Sequence, residues 1–121
     1  MKKYIQDNLV KRHIRSLDSN ANKILFYTKT SSVYKHKCNA WEETGIEGTC
    51  IIYNQFFTNL KVICVLNRKK KDDFFLCIER NMKITREGNI VIIINTRTSE
   101  VYGMWFCESE TIDEVIRILN N

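Results

Sequence analysis

The sequence predicts a mainly β domain with α: a seven-stranded antiparallel sandwich or partly open barrel, an N-terminal helix and a C-terminal capping helix. Three observations carry this. From residue 24 to residue 106, short segments rich in β-branched and aromatic residues alternate with polar or glycine-bearing breaks. The breaks are too short for the crossover helices that parallel strands require. Both ends of the chain carry apolar residues at helical spacing. With 121 residues, 44% of them hydrophobic, the chain can build one core and not two. Residues 1–121 therefore read as a single domain, divided into a helical region over 1–22, strands over 24–106 and a helix over 109–119.

From Tyr4 to Leu17, steps of three and four place Ile5, Leu9, Val10, His13, Ile14 and Leu17 on one helical face, with Lys2, Lys3, Lys11, Arg12 and Arg15 mostly off it. Asp18-Ser19-Asn20 ends this helix or caps a further turn, because such side chains bond nearby backbone amides in preference to continuing a helix. The expected strands are Ile24–Thr28, Ser32–Lys35, Gly48–Tyr53, Lys61–Leu66, Phe74–Ile78, Asn89–Asn95 and Glu100–Phe106. Thr111-Ile112-Asp113-Glu114 reads as a capping box, followed by Val115, Ile116 and Leu119 on the face of Ile112. A seven-strand antiparallel structure plugged by one amphipathic C-terminal helix is the pattern of the pleckstrin-homology superfold.

Several function classes lose support at once. The first residues, Met1-Lys2-Lys3-Tyr4-Ile5-Gln6-Asp7, carry charge where a signal peptide needs an apolar run, and no stretch approaches the ~20 apolar residues of a membrane span. Cys38, Cys50, Cys64, Cys77 and Cys107 form no CxxC pair, and four of them stand inside apolar runs, so reduced thiols acting as small core residues are expected. The charge of +5 raises nucleic acid, but its strongest run, Arg68-Lys69-Lys70-Lys71, is followed by Asp72-Asp73 and reads as a solvated strand connection, with weak direct RNA contact at most. The two histidines, His13 and His36, have no nucleophile-and-base motif around them, and the four glycines form no phosphate loop. Glu42-Glu43, Asp72-Asp73 and Asp113-Glu114 are neighbours in sequence, which do not face one another. Neither a catalytic residue, a metal nor a cofactor is expected.

The aromatic residues stand out instead. Tyr34, Trp41 and Trp105 have Tyr53, Tyr102 and Phe106 near them in sequence, and a core role would suit most of these. Trp41, however, lies in Lys37-Cys38-Asn39-Ala40-Trp41-Glu42-Glu43, and a tryptophan so flanked by charge is seldom wholly buried. Partly exposed tryptophan and tyrosine at an edge make ridged slots for a polyproline helix, whose bare carbonyls the indole N–H and phenol O–H can bond.

Four blocks, in order, resemble the mRNA-decapping protein 1 family: Ser32-Val33-Tyr34, Trp41-Glu42-Glu43-Thr44-Gly45-Ile46-Glu47-Gly48-Thr49, Ile63-Cys64-Val65-Leu66-Asn67-Arg68 and Val101-Tyr102-Gly103-Met104-Trp105-Phe106. Ile24-Leu25-Phe26 is similar to the family's I-L-F after its N-terminal helices. The resemblance covers nearly the whole chain. It implies an EVH1-like domain that binds the helical regulatory domain of mRNA-decapping protein 2, the Nudix decapping enzyme, and favours its closed, active state. It implies no catalysis by this chain, which has no Nudix box. It also implies a cytoplasmic setting, extending to P-bodies, with no membrane and with proline-rich decay factors as further partners. By residue, the family's proline-rich peptide groove falls on Tyr34, Trp41 and Trp105, and its enzyme-docking surface on Leu9, Arg12, His13, Leu17 and Asp18. The family's aromatic-Asp-Pro reads Leu17-Asp18-Ser19 here, and its usual arginine after the strand-two tyrosine is replaced by Asn54-Gln55. Arg12, Arg15 and Asp18 are expected to be exposed charges that matter to the partner and little to folding. The alternative reading is an EVH1-type adaptor that binds proline-rich peptides without a decapping role.

Overall fold

The computed structural model describes the backbone of residues 2–121 and the side chains of residues 8–121. Helix α1 (Lys2–Leu17) is followed by strands β1 (Ala21–Lys37), β2 (Ala40–Gln55), β3 (Lys61–Asn67), β4 (Phe74–Ile78), β5 (Met82–Glu87), β6 (Ile90–Asn95) and β7 (Val101–Phe106), and by helix α2 (Ser109–Leu119). All pairings are antiparallel, in the order β4-β3-β2-β1-β7-β6-β5. The β1–β2 hairpin turns on Cys38 and Asn39, both at positive φ, the geometry whose twist matches the strands it joins.

Strand β1 bends the sheet on itself. Its first half pairs with β2 alone; from Ser31 onward it pairs with β2 on one side and β7 on the other. A register shift between Thr28 and Ser31 makes the corner, as bulges do. Gly48 is required there: a Cβ at this position would fall 1.8 Å from the Leu66 carbonyl oxygen, where β3 crosses β2.

The main core lies inside the bend. Val33, Cys50, Ile52, Ile63, Val65, Val91, Ile93, Met104 and Phe106 point inward from the strands, and α2 plugs the space with Ile112, Val115, Ile118 and Leu119. A second cluster lies on the outer face of β2 and β3, where Ile51, Tyr53, Val62 and Cys64 receive Ile14 and Val10 of α1. Burying a side chain such as Ile14 contributes roughly 1.5–3 kcal/mol, so α1 is held by a short apolar stripe. Ile5, expected on the same face, is outside the described side chains.

Four sequence expectations need correction. The segments Ile24–Thr28 and Ser32–Lys35 are one strand, because a bulge and not a turn absorbs the polar break between them. Strand β5 was not expected; its Met82 and Ile84 alternate with exposed Lys83 and Thr85 over only two pairs, a short signal that charge conceals. The expected capping box is not the cap of α2. The helix starts at Ser109 with Glu108 as N-cap and no side-chain cap bond, and its first turn is instead tied to β5, with Arg86 donating to Ser109 Oγ at 2.9 Å and to Asp113 Oδ1 at 2.6 Å. Finally, Cys107 is exposed, beyond the end of β7, whereas Cys50 and Cys64 are buried and Cys77 half-buried. Burial pushes the Cys64 thiol up to about 12, helped by Asp73, and raises that of Cys50 further, so neither thiol ionises in ordinary conditions. At the far end of α2, the Lys61 ammonium donates to the carbonyls of Ile118 and Asn121, neutralising the negative helix end.

Candidate functional site

Two surfaces expose what a stable core would hide. The first lies on the outer face of β1, β2, β6 and β7. Directly paired residues of antiparallel strands share a face. The pairs Tyr34–Gly103, Ser32–Trp105 and His36–Trp41, with Ile92–Gly103 and Ile90–Trp105 across the next strand, therefore set Tyr34, Trp41 and Trp105 on one side of the sheet. Trp105 and Tyr34 are half-buried; Trp41 is 37% exposed. The Trp41 indole reaches across β1 to lie on Gly103, meeting His36 edge to face at 4.9 Å between ring centres.

Gly103 is the seat of this arrangement. A Cβ there would come within 2.8 Å of Trp41 Cζ3 and 3.0 Å of Ile90 Cγ2. No positive φ is involved, so the requirement is for space. Tyr34 and Trp105 therefore share this face with the Trp41 indole, and Ile90 and Ile92 stand beside them on the next strand. Aromatic side chains grouped on one face are the kind of surface that holds an extended chain whose carbonyls lack internal partners.

The second surface surrounds α1. Among the described residues, the large hydrophobic side chains that stay exposed are Leu9, Leu17, Trp41, Phe56, Phe57 and Phe75, and all except Trp41 lie here. Leu9, His13 and Leu17 follow one another at steps of four along the outward side of α1, beside the inward Val10 and Ile14. A depression of about 320 Å³ opens next to Leu17, lined also by Asp18, Tyr53, Gln55, Val62, Phe75 and Cys77.

Two charges expected to be free are engaged. Asp18 is half-buried and accepts from the Tyr53 hydroxyl at 2.7 Å, the Gln55 amide at 3.1 Å and the Asn20 backbone N–H at 2.9 Å. Burial pushes its carboxyl up, but the three hydrogen bonds together outweigh this and hold it below the usual carboxylate value. Burial, followed by the bond to Asp18, raises the Tyr53 phenol well above the ordinary tyrosine range. Arg15 donates from Nε to the Ala21 carbonyl at 3.3 Å and stacks over the Phe56 ring at 5.8 Å. Asp18 and Arg15 thus brace the α1–β1 corner, and Asp18 is half-buried and hydrogen-bonded where an exposed charge was expected. Arg12 and His13 are exposed.

Sequence reasoning missed Phe56, Phe57, Phe75 and the role of Gly103. Two adjacent phenylalanines in a segment assigned to no strand were the available signal for the first pair. Among the described residues, no group of three His, Cys, Asp or Glu side chains is placed to hold a metal ion, and no helix is long and apolar enough to cross a membrane.

A family model described as the Dcp1-like decapping family matches residues 6–121. Mouse and human proteins named mRNA-decapping enzyme 1B are each 24% identical to the chain over 101 residues, which is 84% of this chain and 16% and 15% of theirs. The chain thus spans about one sixth of the length of these relatives. Among solved structures, the crystal structure of Dcp1p aligns with a TM-score of 0.82 at 22% identity, over 90% of this chain and 92% of that one. The solution structure of the Dm DCP1 EVH1 domain in complex with the XRN1 DBM peptide aligns with a TM-score of 0.82 at 24% identity, over 94% and 86%. Both show that the fold is shared.

Proposed function

The chain belongs to the Dcp1-like decapping family, and we propose that it is a non-catalytic activator subunit of the cytoplasmic mRNA-decapping complex. It docks on the regulatory domain of the Nudix decapping enzyme, mRNA-decapping protein 2, and promotes 5′ cap removal. The docking surface is the outward side of α1 and the turn after it, with Leu9, Arg12, His13 and Leu17 as contacts and Asp18 holding the corner in shape. The groove of Tyr34, Trp41 and Trp105 takes proline-rich segments of other decay factors.

The observation that carries the reading is the separation of exposed apolar side chains into two faces: Trp41 on one, Leu9, Leu17, Phe56, Phe57 and Phe75 on the other. A monomer gains nothing from leaving such groups in water, and clustered exposed apolar surface marks interaction sites. An adaptor that used only the aromatic groove would leave the α1 face unexplained, which favours the decapping reading over that alternative. The solved neighbour, an EVH1 domain in complex with an XRN1 peptide, supports a peptide-binding role for a domain of this fold.

Activation needs no chemistry from this chain. An activator must bind the enzyme's active state better than its inactive one, by about 1.4 kcal/mol for each tenfold shift. Of the adjacent carboxylates, Asp113 pairs with Arg86, Glu114 with Arg117, and Asp73 accepts from the Asn67 backbone N–H. The test is to mix the purified chain with the Nudix decapping enzyme of the same organism. A stable complex and faster release of methylated cap are expected; absence of both sinks the proposal.

A further inference from the structure

We propose that Phe57 is an anchor that enters an apolar pocket of the docked partner, and that the partner surface around that pocket is acidic. The inference rests on the docking reading above and names the chemistry of what docks.

Phe57 is 92% exposed, far more than any other large hydrophobic side chain among the described residues. Its exposure does not come from a loose loop. In the turn between β2 and β3, Gln55 N–H donates to the Leu60 carbonyl at 2.9 Å, Asn59 N–H to the Gln55 carbonyl at 3.2 Å, and Leu60 N–H to Thr58 Oγ1 at 3.1 Å. Thr58 Oγ1 donates in turn to Gln55 Oε1 at 3.1 Å, and Asn59 takes the positive φ that closes the turn. The turn is fastened to the α1–β1 corner, where Phe56 N–H donates to the Asn20 carbonyl at 2.9 Å and Arg15 covers the Phe56 ring. A phenylalanine held out by a braced turn has little backbone freedom left to lose on binding and only two side-chain torsions, which favours it as an anchor.

On the α1 side of the turn the charge is mainly positive; on the other side Glu79 and Arg80 stand beside Thr58, Asn59 and Leu60, with Glu79 paired to Arg97 at 3.9 Å. From Asn8 to Asn20 the ionisable side chains are Lys11, Arg12, His13, Arg15 and Asp18, and from Gln55 to Leu60 there are none. Asp18, the one carboxylate of these segments, already accepts from Tyr53, Gln55 and Asn20. Helix α1 therefore carries Lys11, Arg12 and Arg15 beside Leu9 and Leu17, with Arg15 reaching over the Phe56 ring. Cations beside apolar side chains are complementary to carboxylates beside an apolar pocket, and such charge pairs chiefly speed association.

The experiment measures binding kinetics of the full chain with the Nudix decapping enzyme of the same organism, for the wild type, Phe57→Ala and Arg12→Glu, at low and high salt. Phe57→Ala should weaken the complex roughly 30-fold, the threshold of an interface anchor, while the thermal midpoint of the free chain stays put. Arg12→Glu should slow association, and raising salt from about 0.05 to 0.5 M should slow wild-type association roughly tenfold. A wild-type complex that forms normally, yet survives Phe57→Ala within about twofold or associates at a salt-independent rate, overturns the inference and leaves docking intact. If the wild type forms no complex, the docking reading falls and takes this inference with it.

Discussion

Replacing Gly103 by alanine adds one methyl group, and the structure fixes what it meets. The new Cβ would lie 2.8 Å and 3.0 Å from Trp41 Cζ3 and Cη2 and 3.0 Å from Ile90 Cγ2, against the 3.5–4.0 Å of favourable carbon contact. The neighbours must give by roughly 1 Å. Ile90 is packed beside Trp105 in the ladder, whereas Trp41 is 37% exposed and can lift. Two effects on stability oppose each other. Overpacking costs about 1–3 kcal/mol, toward the low end where a side chain can move to solvent. Alanine in a strand gains about 0.5–1 kcal/mol over glycine. The net loss should therefore stay below about 2 kcal/mol by urea unfolding, and the domain should remain folded. The proposed groove should not survive intact, because the indole would be displaced from its place beside Gly103. Tryptophan fluorescence should shift to the red, and affinity for a proline-rich peptide should fall roughly tenfold or more in an anisotropy titration. Unchanged peptide affinity and an unchanged emission maximum in the folded variant would refute the claim that Gly103 seats Trp41 as part of a binding groove.

Other perturbations bear on the remaining parts of the account. Trp105→Ala should weaken proline-rich peptide binding by about 2 kcal/mol in the same titration, with Tyr34 and Trp41 retained. Tyr53→Phe removes a hydrogen bond to a carboxylate and should cost about 1.5–3 kcal/mol in urea unfolding at neutral pH. Because the folded Asp18 carboxyl lies below its usual value of 3.8, its contribution is complete above that pH and is lost as pH falls through the lower folded value. The stability gap between Tyr53→Phe and wild type should accordingly shrink below pH 3.8, and a gap that stays constant into strong acid would contradict the assigned bond. Asp18→Lys should lower the thermal midpoint as well as weaken docking, whereas Arg12→Glu should spare the midpoint; equal midpoints for both would put Asp18 back among free surface charges.

The sequence made the architecture legible where a single local signal decided it. Alternating β-branched segments with short breaks could only be antiparallel strands, and the apolar stripe Ile112, Val115, Leu119 could only be covered by the sheet, where the main core holds it. Trp41 was readable as a surface residue because charge flanks it. What was hidden depended on distant partners. The Asp18–Tyr53 bond joins residues 35 apart in the chain, so local pattern presents Asp18 as an ordinary helix stop. The seat at Gly103 exists only because β2 and β7 flank β1, so that Trp41 of β2 can reach across it. Strand β5 escaped notice because an edge strand protects itself with charged residues, and these dilute the alternation that marks it. The expected cap at Thr111 failed for a related reason. The cap of α2 lies three residues earlier, at Glu108, where Arg86 of β5 ties the first turn, a tie invisible until both elements are in place.

The central claim is that this chain acts on an enzyme and does not act as one. Single-turnover release of methylated cap from a capped RNA, followed for the Nudix decapping enzyme alone, for this chain alone and for the two together, tests it most directly. The account predicts no release by this chain, slow release by the enzyme, and a rate that rises with added chain until a one-to-one complex is formed, with Phe57→Ala and Arg12→Glu requiring more protein to reach the same plateau. Cap release by this chain alone, or an enzyme rate indifferent to its presence, would contradict the account.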